Sequence, residues 1–244
     1  SISALADERL ARSLDIQEEE ATKDFALVGL IMRRAAELVA GLDADGLRAN
    51  EERLHASFAD LANAVAAVES IWVYAPDGHA LATSSRHPPP EDSFAERDFI
   101  TGPLRTGGSV YYGRVYPSSF GAEPFFTVSR PLVVHGSVAA ILGVSVLSSN
   151  FLQFYSTLVY TQGLQYALIR SDGAFLARYP SVPLGAPDQL DANTNFRRLI
   201  AAHPDGGSYW SLSPIDQIER RYAIRRLEGT SLYLSAGIED ATLR

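Results

Sequence analysis

The chain has 244 residues, a formal net charge of −8 and 20% charged side chains. This acidic balance argues against a nucleic-acid-binding surface, which would be basic. The absence of cysteine excludes disulfides, a thiolate nucleophile and cysteine-ligated metals, and the length allows one large domain or two small ones.

A long helix is predicted at the start of the chain. Positions 4 to 40 contain no proline and a single glycine, Gly29. Apolar residues recur at alternating spacings of three and four, which is typical of a helix that buries one face: Leu14, Ala21, Phe25, Val28, Met32, Ala35, Val39 and Leu42. We expect a spine helix that packs against the following domains rather than a free coiled coil. If a second copy shares the stripe, this helix would form a homodimer.

A glycine- and aspartate-rich segment at 41–46 ends this helix, and the same spacing predicts a second helix over 47–68. From Ser70 the pattern changes to short strands. They are predicted at 71–74, 80–83, 110–116, 125–134 and 138–147. The first two should pair around Asp77-Gly78, because glycine accepts the positive φ of a tight turn. A short helix is predicted at 94–104, with Ser93 as N-cap and Glu96 completing a capping box.

The same marks recur in the second half of the chain. Asp172-Gly173 separates two apolar runs as Asp77-Gly78 does, and Gly206-Gly207-Ser208 repeats Gly107-Gly108-Ser109. The remaining elements are a linking helix at 149–161, a short helix at 194–202, and strands at 164–169, 174–178, 208–212, 218–227 and 231–237. This order indicates an α+β fold in which one antiparallel five-strand module is used twice, each sheet burying a face on helices.

The predicted boundaries follow from this order of elements. They place the spine and second helices at 1–69, a first module at 70–148, the linking helix at 149–162 and a second module at 163–244.

A row of polar and aromatic residues is predicted on the third strand of the first module. Because side chains alternate along a strand, Tyr112, Arg114 and Tyr116 would share one face. Arginine offers a planar donor fork for a carboxylate. The row therefore suits a small polar or anionic ligand, and the alternative is a solvated face.

Three further charged residues are candidates for the same site. Arg97 and Asp98 lie on the predicted short helix, where the alternative for Arg97 is an internal salt bridge to Asp98 or Glu96. Arg130 shares a strand face with apolar residues, and a buried arginine needs a partner. That partner is a ligand or a structural carboxylate, and we favour the structural role.

The sequence predicts no catalytic, metal or cofactor site. No two of the five histidines are spaced as metal ligands on a helix, and there is no phosphate-binding loop or nucleophile elbow. In the second module Arg178, Arg225 and Arg226 are predicted to be structural or exposed. We therefore expect no enzymatic activity in this segment.

Three sequence segments, together with the doubled module, resemble double Cache (tandem PAS-like) sensor domains of bacterial transmembrane receptors. Positions 94–99, Phe-Ala-Glu-Arg-Asp-Phe, resemble the helix that roofs the membrane-distal pocket. Ser129-Arg130-Pro131-Leu132, with Gly136 and Gly143-Val144, resembles the family's paired strands. Positions 175–180, Phe-Leu-Ala-Arg-Tyr-Pro, resemble the segment after the second module's first hairpin.

The resemblance implies a periplasmic ligand-sensing portion of a bacterial inner-membrane protein. Its membrane helices would lie outside this segment, and its output would be a histidine kinase or a diguanylate cyclase, or that of a chemoreceptor. Arg97 occupies the place of an arginine that amino-acid-binding members keep. Phe99 and Ile100 replace their Trp and Tyr, however, and Ser148 stands near the position of their amine-binding Asp, which weakens the inference to an α-amino acid. The alternatives are a ligand-free module for dimerisation or periplasmic protein contact, and a soluble enzyme.

Overall fold

The computed structural model describes residues 1–117, 123–158 and 163–244, which fold into two compact units. One unit comprises Asp24–Asn150, and the other joins Ser1–Lys23 to Phe151–Arg244. Each unit holds one five-stranded antiparallel sheet. Within the described ranges, we find no helix with the length and apolar content that crossing a membrane requires. The domain boundaries drawn from sequence stay a prediction.

Helix α1 (Ile2–Leu38) contributes residues to both units. The predicted apolar stripe is buried at Leu14, Ala21, Val28, Met32, Ala35 and Val39. Two polar residues, Gln17 and Asp24, are buried as well. Gln17 Nε2 donates to the Ser235 carbonyl at 3.4 Å, and Asp24 Oδ2 accepts from Asn150 Nδ2 at 2.9 Å. These hydrogen bonds offset part of the cost of removing the two polar side chains from water; the buried Oε1 of Gln17 has no partner among the described residues.

Two short helices replace the single second helix that the sequence predicts. They are α2 (Ala44–Ala49) and α3 (Glu51–Asn63). The side chain of Asp43 caps α2 by accepting from the Gly46 amide at 2.8 Å. The prediction that the helix continues to 68 is wrong, because Val68 begins the first strand.

The sheet of the 24–150 unit has the order β2-β1-β5-β4-β3. Its strands are β1 (Val68–Tyr74), β2 (Ala80–Thr83), β3 (Tyr111–Tyr112), β4 (Phe125–Val134) and β5 (Ser137–Leu147). Helix α4 (Asp98–Thr106) contacts β3, β4 and β5.

The second sheet has the equivalent order, β7-β6-β10-β9-β8. The elements of this half are α5 (Ser148–Thr157), β6 (Leu164–Arg170), β7 (Phe175–Tyr179), α6 (Asn195–Ala202), β8 (Gly206–Leu212), β9 (Glu219–Arg226), β10 (Leu232–Glu239) and α7 (Asp240–Leu243). The predicted double use of one α+β module is therefore confirmed. The predicted linking helix extends into 159–162, which lie outside the described residues.

The repeated Asp-Gly pair forms the same type of turn in both modules. Gly78 and Gly173 have φ values of +92° and +90°, a region that favours glycine. The loop that follows each hairpin crosses back over the turn: the Phe94 amide donates to the Gly78 carbonyl, and the Leu190 amide to that of Gly173, each at 2.9 Å. A Cβ at Gly78 would lie 2.4 Å from the Ala95 backbone, so these turns have no room for a side chain.

In the other unit, the part of α1 that ends at Lys23 is tied to the second sheet by ion pairs. Arg221 donates two hydrogen bonds to the Asp7 carboxylate, at 2.8 and 3.0 Å. About two to three turns further from the N-terminus of α1, Arg225 donates to Asp15 at 2.7 Å and to Glu18 at 3.1 Å. Arg225 is thus structural, as predicted.

Candidate ligand site

A β-bulge lies in the segment that the sequence predicts as a regular strand. Tyr112 pairs with Val128, and Tyr116 pairs with Phe125. Tyr116 lies four positions after Tyr112, whereas Phe125 lies three positions before Val128. One extra residue is therefore left between the two pairs, which reverses the faces on either side of it. The prediction that Tyr112, Arg114 and Tyr116 share one face is wrong.

Tyr112 lies on the α1 side of this sheet. Its ring contacts Phe25 edge-on with centroids 5.8 Å apart, and Phe25 contacts Phe126 at 6.3 Å. By alternation along β4, Arg130 is on the same face as Phe126. The half-buried Arg130 has no partner for its buried Nε among the described residues. The structure therefore separates Tyr112 and Arg130 from the other candidate residues.

On the opposite face, Asp98 joins the start of α4 to the segment 111–116. Its Oδ2 accepts from the Arg114 amide at 2.9 Å and from the Tyr111 hydroxyl at 3.2 Å. Its Oδ1 accepts from the Tyr116 hydroxyl at 3.1 Å. A carboxylate in the first helical turn is also favoured by the helix dipole. Asp98 thus brings Tyr111, Arg114 and Tyr116 together.

The predicted capping box at the start of this helix is wrong. Helix α4 begins at Asp98, and its N-cap residue, Arg97, makes no side-chain capping bond. The Ser93 hydroxyl instead accepts from the Ala95 amide at 3.3 Å, in the turn that precedes the helix. The chain just before α4 is held on the first hairpin, because the Phe94 amide donates to the Gly78 carbonyl at 2.9 Å.

Arg97 lies over the ring of Tyr116, with its guanidinium carbon 4.3 Å from the ring centroid. This is a cation–π contact. The Arg97 side chain is half-buried and that of Arg114 is exposed. In the ranges that the structure describes, neither forms an ion pair, so the internal salt bridge from Arg97 to Asp98 or Glu96 is not formed. The site therefore carries two cationic side chains without carboxylate partners there.

Aromatic rings form the floor of this site. Phe99 meets Tyr116 edge-on at 5.8 Å, Phe125 lies 6.5 Å from Tyr116, and Tyr74 lies 5.7 Å from Phe99. Burial raises the pKa of the Tyr116 hydroxyl. The hydroxyl therefore stays protonated at neutral pH and can both donate and accept a hydrogen bond. This arrangement can hold an anionic or polar group, and it contains no pair of groups suited to acid–base catalysis.

Sequence reasoning missed Tyr111, which lies on the site face with its ring against Gly102 of α4. Gly113 is the indication that could have revealed it, since a glycine inside a strand often marks a bulge. Its amide donates to the Thr127 carbonyl at 2.8 Å. In the described part of the chain, no three His, Asp or Glu side chains come together to hold a metal ion.

Comparison with known proteins identifies the fold. Residues 148–237 match the family model dCache_1_like, described as a histidine kinase sensor domain. The extracellular domain of rpHK1S-Z16, named as a candidate histidine kinase, is similar to this chain with a TM-score of 0.76 at 20% identity, covering 98% of this chain and 97% of that chain. The chain has the double Cache fold of receptor sensor domains. The resemblance drawn from sequence is confirmed at this level.

Two chemoreceptor domains share this fold at low identity. The ligand-binding domain of Campylobacter jejuni Tlp3, solved with L-norvaline, has a TM-score of 0.66 at 12% identity, covering 100% of this chain and 94% of that chain. The ligand-binding domain of Pseudomonas aeruginosa PAO1 PctB, solved with L-Arg, has a TM-score of 0.68 at 14% identity, covering 97% of this chain and 88% of that chain. No curated protein matches this chain.

Proposed function

We propose that this double Cache chain is the periplasmic ligand-sensing domain of a bacterial inner-membrane receptor whose output is a histidine kinase. The match of residues 148–237 to a histidine kinase sensor model supports this output. None of the matches described above names a diguanylate cyclase. The membrane helices of such a receptor would lie outside this segment.

The ligand site of this proposal is formed by Arg97, Asp98, Arg114 and Tyr116. The observation that carries it is the charge balance. Arg97 and Arg114 have no carboxylate partner in the described ranges, while the one carboxylate of the site, Asp98, already accepts three hydrogen bonds. A small molecule with an anionic group would complete the site, because arginine binds carboxylates with paired donors.

The structure also favours a particular class of ligand. The similar Tlp3 and PctB domains were solved with amino acids bound, and an α-amino acid offers a carboxylate to Arg97. Its ammonium group, however, would compete at Asp98 with donors from Tyr111, Arg114 and Tyr116. We therefore expect the carboxylate group to dominate recognition. Carboxylates that lack an amine should then also bind at this site.

The same segment offers a route from the site to the spine helix. Tyr116 lies at the site, and Tyr112, on the other side of the bulge, contacts Phe25 of α1 at 5.8 Å. A ligand that draws Tyr116 toward Arg97 would change the position of Tyr112 against α1. The segment would then have two arrangements, one with and one without the ligand-induced position of Tyr112. The ligand can shift the equilibrium between them only by the difference between its affinities for the two.

The test is a thermal-unfolding screen of the 244-residue chain against amino acids, mono- and dicarboxylates and amines. A ligand at about 100 times its Kd stabilises by about 2.7 kcal/mol, which for a chain of this size is roughly 5–10 °C. We expect at least one carboxylate to give such a shift. The shift should be lost in Arg97→Ala and in Arg114→Ala and kept in Arg105→Ala, which removes an exposed arginine of α4.

Two outcomes would contradict this site. An unchanged ligand shift in both Arg97→Ala and Arg114→Ala would place binding elsewhere. No response to any compound would favour the ligand-free alternative, a module for dimerisation or for contact with a periplasmic protein. Sedimentation of the unliganded chain at several concentrations would then distinguish a dimerisation module from a module that contacts a periplasmic protein.

A further inference from the structure

The second module contains a cavity of about 40 Å³. It lies between one face of the second sheet, including Tyr222 and Ser235, and a wall formed by Phe196 of α6 and by Ile215 in the loop after β8. A cavity needs about 10–15 Å³ of such free volume to hold one water molecule. The cavity therefore has room for about three water-sized groups.

Arg178, which lines this cavity, shares a single carboxylate with a second buried arginine, Arg220. The side chains of Arg178 and Arg220 are 3% and 1% exposed, and both pair with Asp216, at 3.0 and 2.7 Å. In the described ranges, neither arginine pairs with a second carboxylate. The cluster thus carries one uncompensated positive charge in a buried setting, where an unpaired charge is costly.

The hydrogen bonds of this cluster remain incomplete. Arg178 donates to the Pro180 carbonyl at 2.7 Å, and Arg220 donates to the Tyr222 hydroxyl at 3.2 Å. The Nε of Arg220 is buried and has no partner among the described residues. The prediction that Arg178 is structural fits its contacts with Asp216 and Pro180, but those contacts leave the charge unbalanced.

Two further donors line the cavity without an acceptor. Gln165 is 2% exposed, and its Oε1 accepts from the Ser235 hydroxyl at 3.3 Å. Neither Gln165 Nε2 nor the Tyr209 hydroxyl has an acceptor in the part of the chain that the structure describes. Burial, with a smaller contribution from Tyr222, raises the pKa of Tyr209, so its hydroxyl remains a donor.

We propose that this cavity is a second ligand site, which binds a small anion of the size of a short monocarboxylate. Gln165 and Tyr209 would donate hydrogen bonds to it, and the excess charge of Arg178 and Arg220 would be balanced by it. The cavity is too small for a larger dicarboxylate. This site does not depend on the one around Arg97, and each can fail without the other.

The test is a calorimetric titration of the 244-residue chain with sodium formate, acetate and propionate, and with phosphate, at constant ionic strength. We expect saturable binding of at least one monocarboxylate. Its affinity should fall by about tenfold or more in Gln165→Leu and Tyr209→Phe, because each loses a hydrogen bond to a charged partner. It should be unchanged in Gln153→Leu, which alters an exposed glutamine of α5.

The same titration in Arg97→Ala separates the two sites. Binding that survives in Arg97→Ala and weakens in Tyr209→Phe belongs to the second module. Tyr209→Phe keeps the aromatic ring, so it serves as the test if Gln165→Leu does not fold. Binding that disappears in Arg97→Ala and persists in Tyr209→Phe would overturn the second site. So would binding of phosphate alone, or the absence of saturable binding by any of these anions.

Discussion

Tyr116 and Asp98 are joined twice: the Tyr116 hydroxyl donates to Asp98 Oδ1 and accepts from the Asp98 amide, each at 3.1 Å. These bonds fix the first turn of α4 to the chain that follows the bulge. Because the Arg97 guanidinium stacks on the same tyrosine ring, the position of the unpaired cation depends on this connection.

We predict that Asp98→Asn destabilises the chain by about 1–3 kcal/mol, because hydrogen bonds to a charged acceptor are replaced by fewer and weaker ones. The free energy of unfolding in urea measures this. Asp92→Asn makes the same chemical change at an exposed position and should stay within about 0.5 kcal/mol of the parent chain. Similar losses in the two variants would show that the Asp98 contacts contribute little.

The sequence predicted the two sheets because their strands show regular apolar patterns, but it could not place the side chains of 110–116. Alternation assumes uninterrupted pairing, and the extra residue at the bulge depends on how Tyr116 meets Phe125. The pairing of Arg178 with Asp216 was not predictable either. It joins residues that are distant in the chain. Arg178 lies in β7, at one edge of the sheet, and Asp216 lies in the loop after β8, the strand at the other edge, so neither sequence spacing nor strand pairing reveals the contact.

The two Asp-Gly turns provide a second prediction. Gly78, Gly173 and Gly136 all have positive φ, and a Cβ at Gly136 would meet no atom within 4 Å. Gly136→Ala should cost only the conformational strain, about 1–2 kcal/mol. Gly78→Ala and Gly173→Ala should cost more, because each Cβ would collide with the crossing loop at 2.4 and 2.0 Å. The free energy of unfolding in urea compares the three variants. Equal losses in all three would show that the crossing loop moves aside without cost, which would contradict the prediction.

The Asp216 cluster predicts a pH dependence of stability. Burial by itself would raise the pKa of Asp216, but hydrogen bonds from Arg220 and Arg178 lower it below its ordinary value of 3.8. The folded chain therefore releases this proton more readily than the unfolded chain. The stability from this carboxylate is fully present above pH 3.8 and is lost as the pH falls toward the folded-state pKa.

Asp216→Asn should accordingly lower the free energy of unfolding at pH 7 by about 3–5 kcal/mol, since it leaves two buried arginines without a counter-charge. The difference from the parent chain should narrow when both are measured at pH 3. Asp205→Asn breaks the exposed pair with Arg226 and should have little effect at either pH. A difference for Asp216→Asn that stays constant or widens at pH 3 would show that the cluster does not titrate in this way.

The most direct test of the first-module site compares Tyr116→Phe with Tyr112→Phe. Each variant loses one hydroxyl, and the bulge places the two rings on opposite faces of the sheet. Calorimetry with the tightest-binding carboxylate of the screen should show about tenfold weaker affinity for Tyr116→Phe and unchanged affinity for Tyr112→Phe. Equal affinities in the two variants, or a loss confined to Tyr112→Phe, would contradict the proposed site.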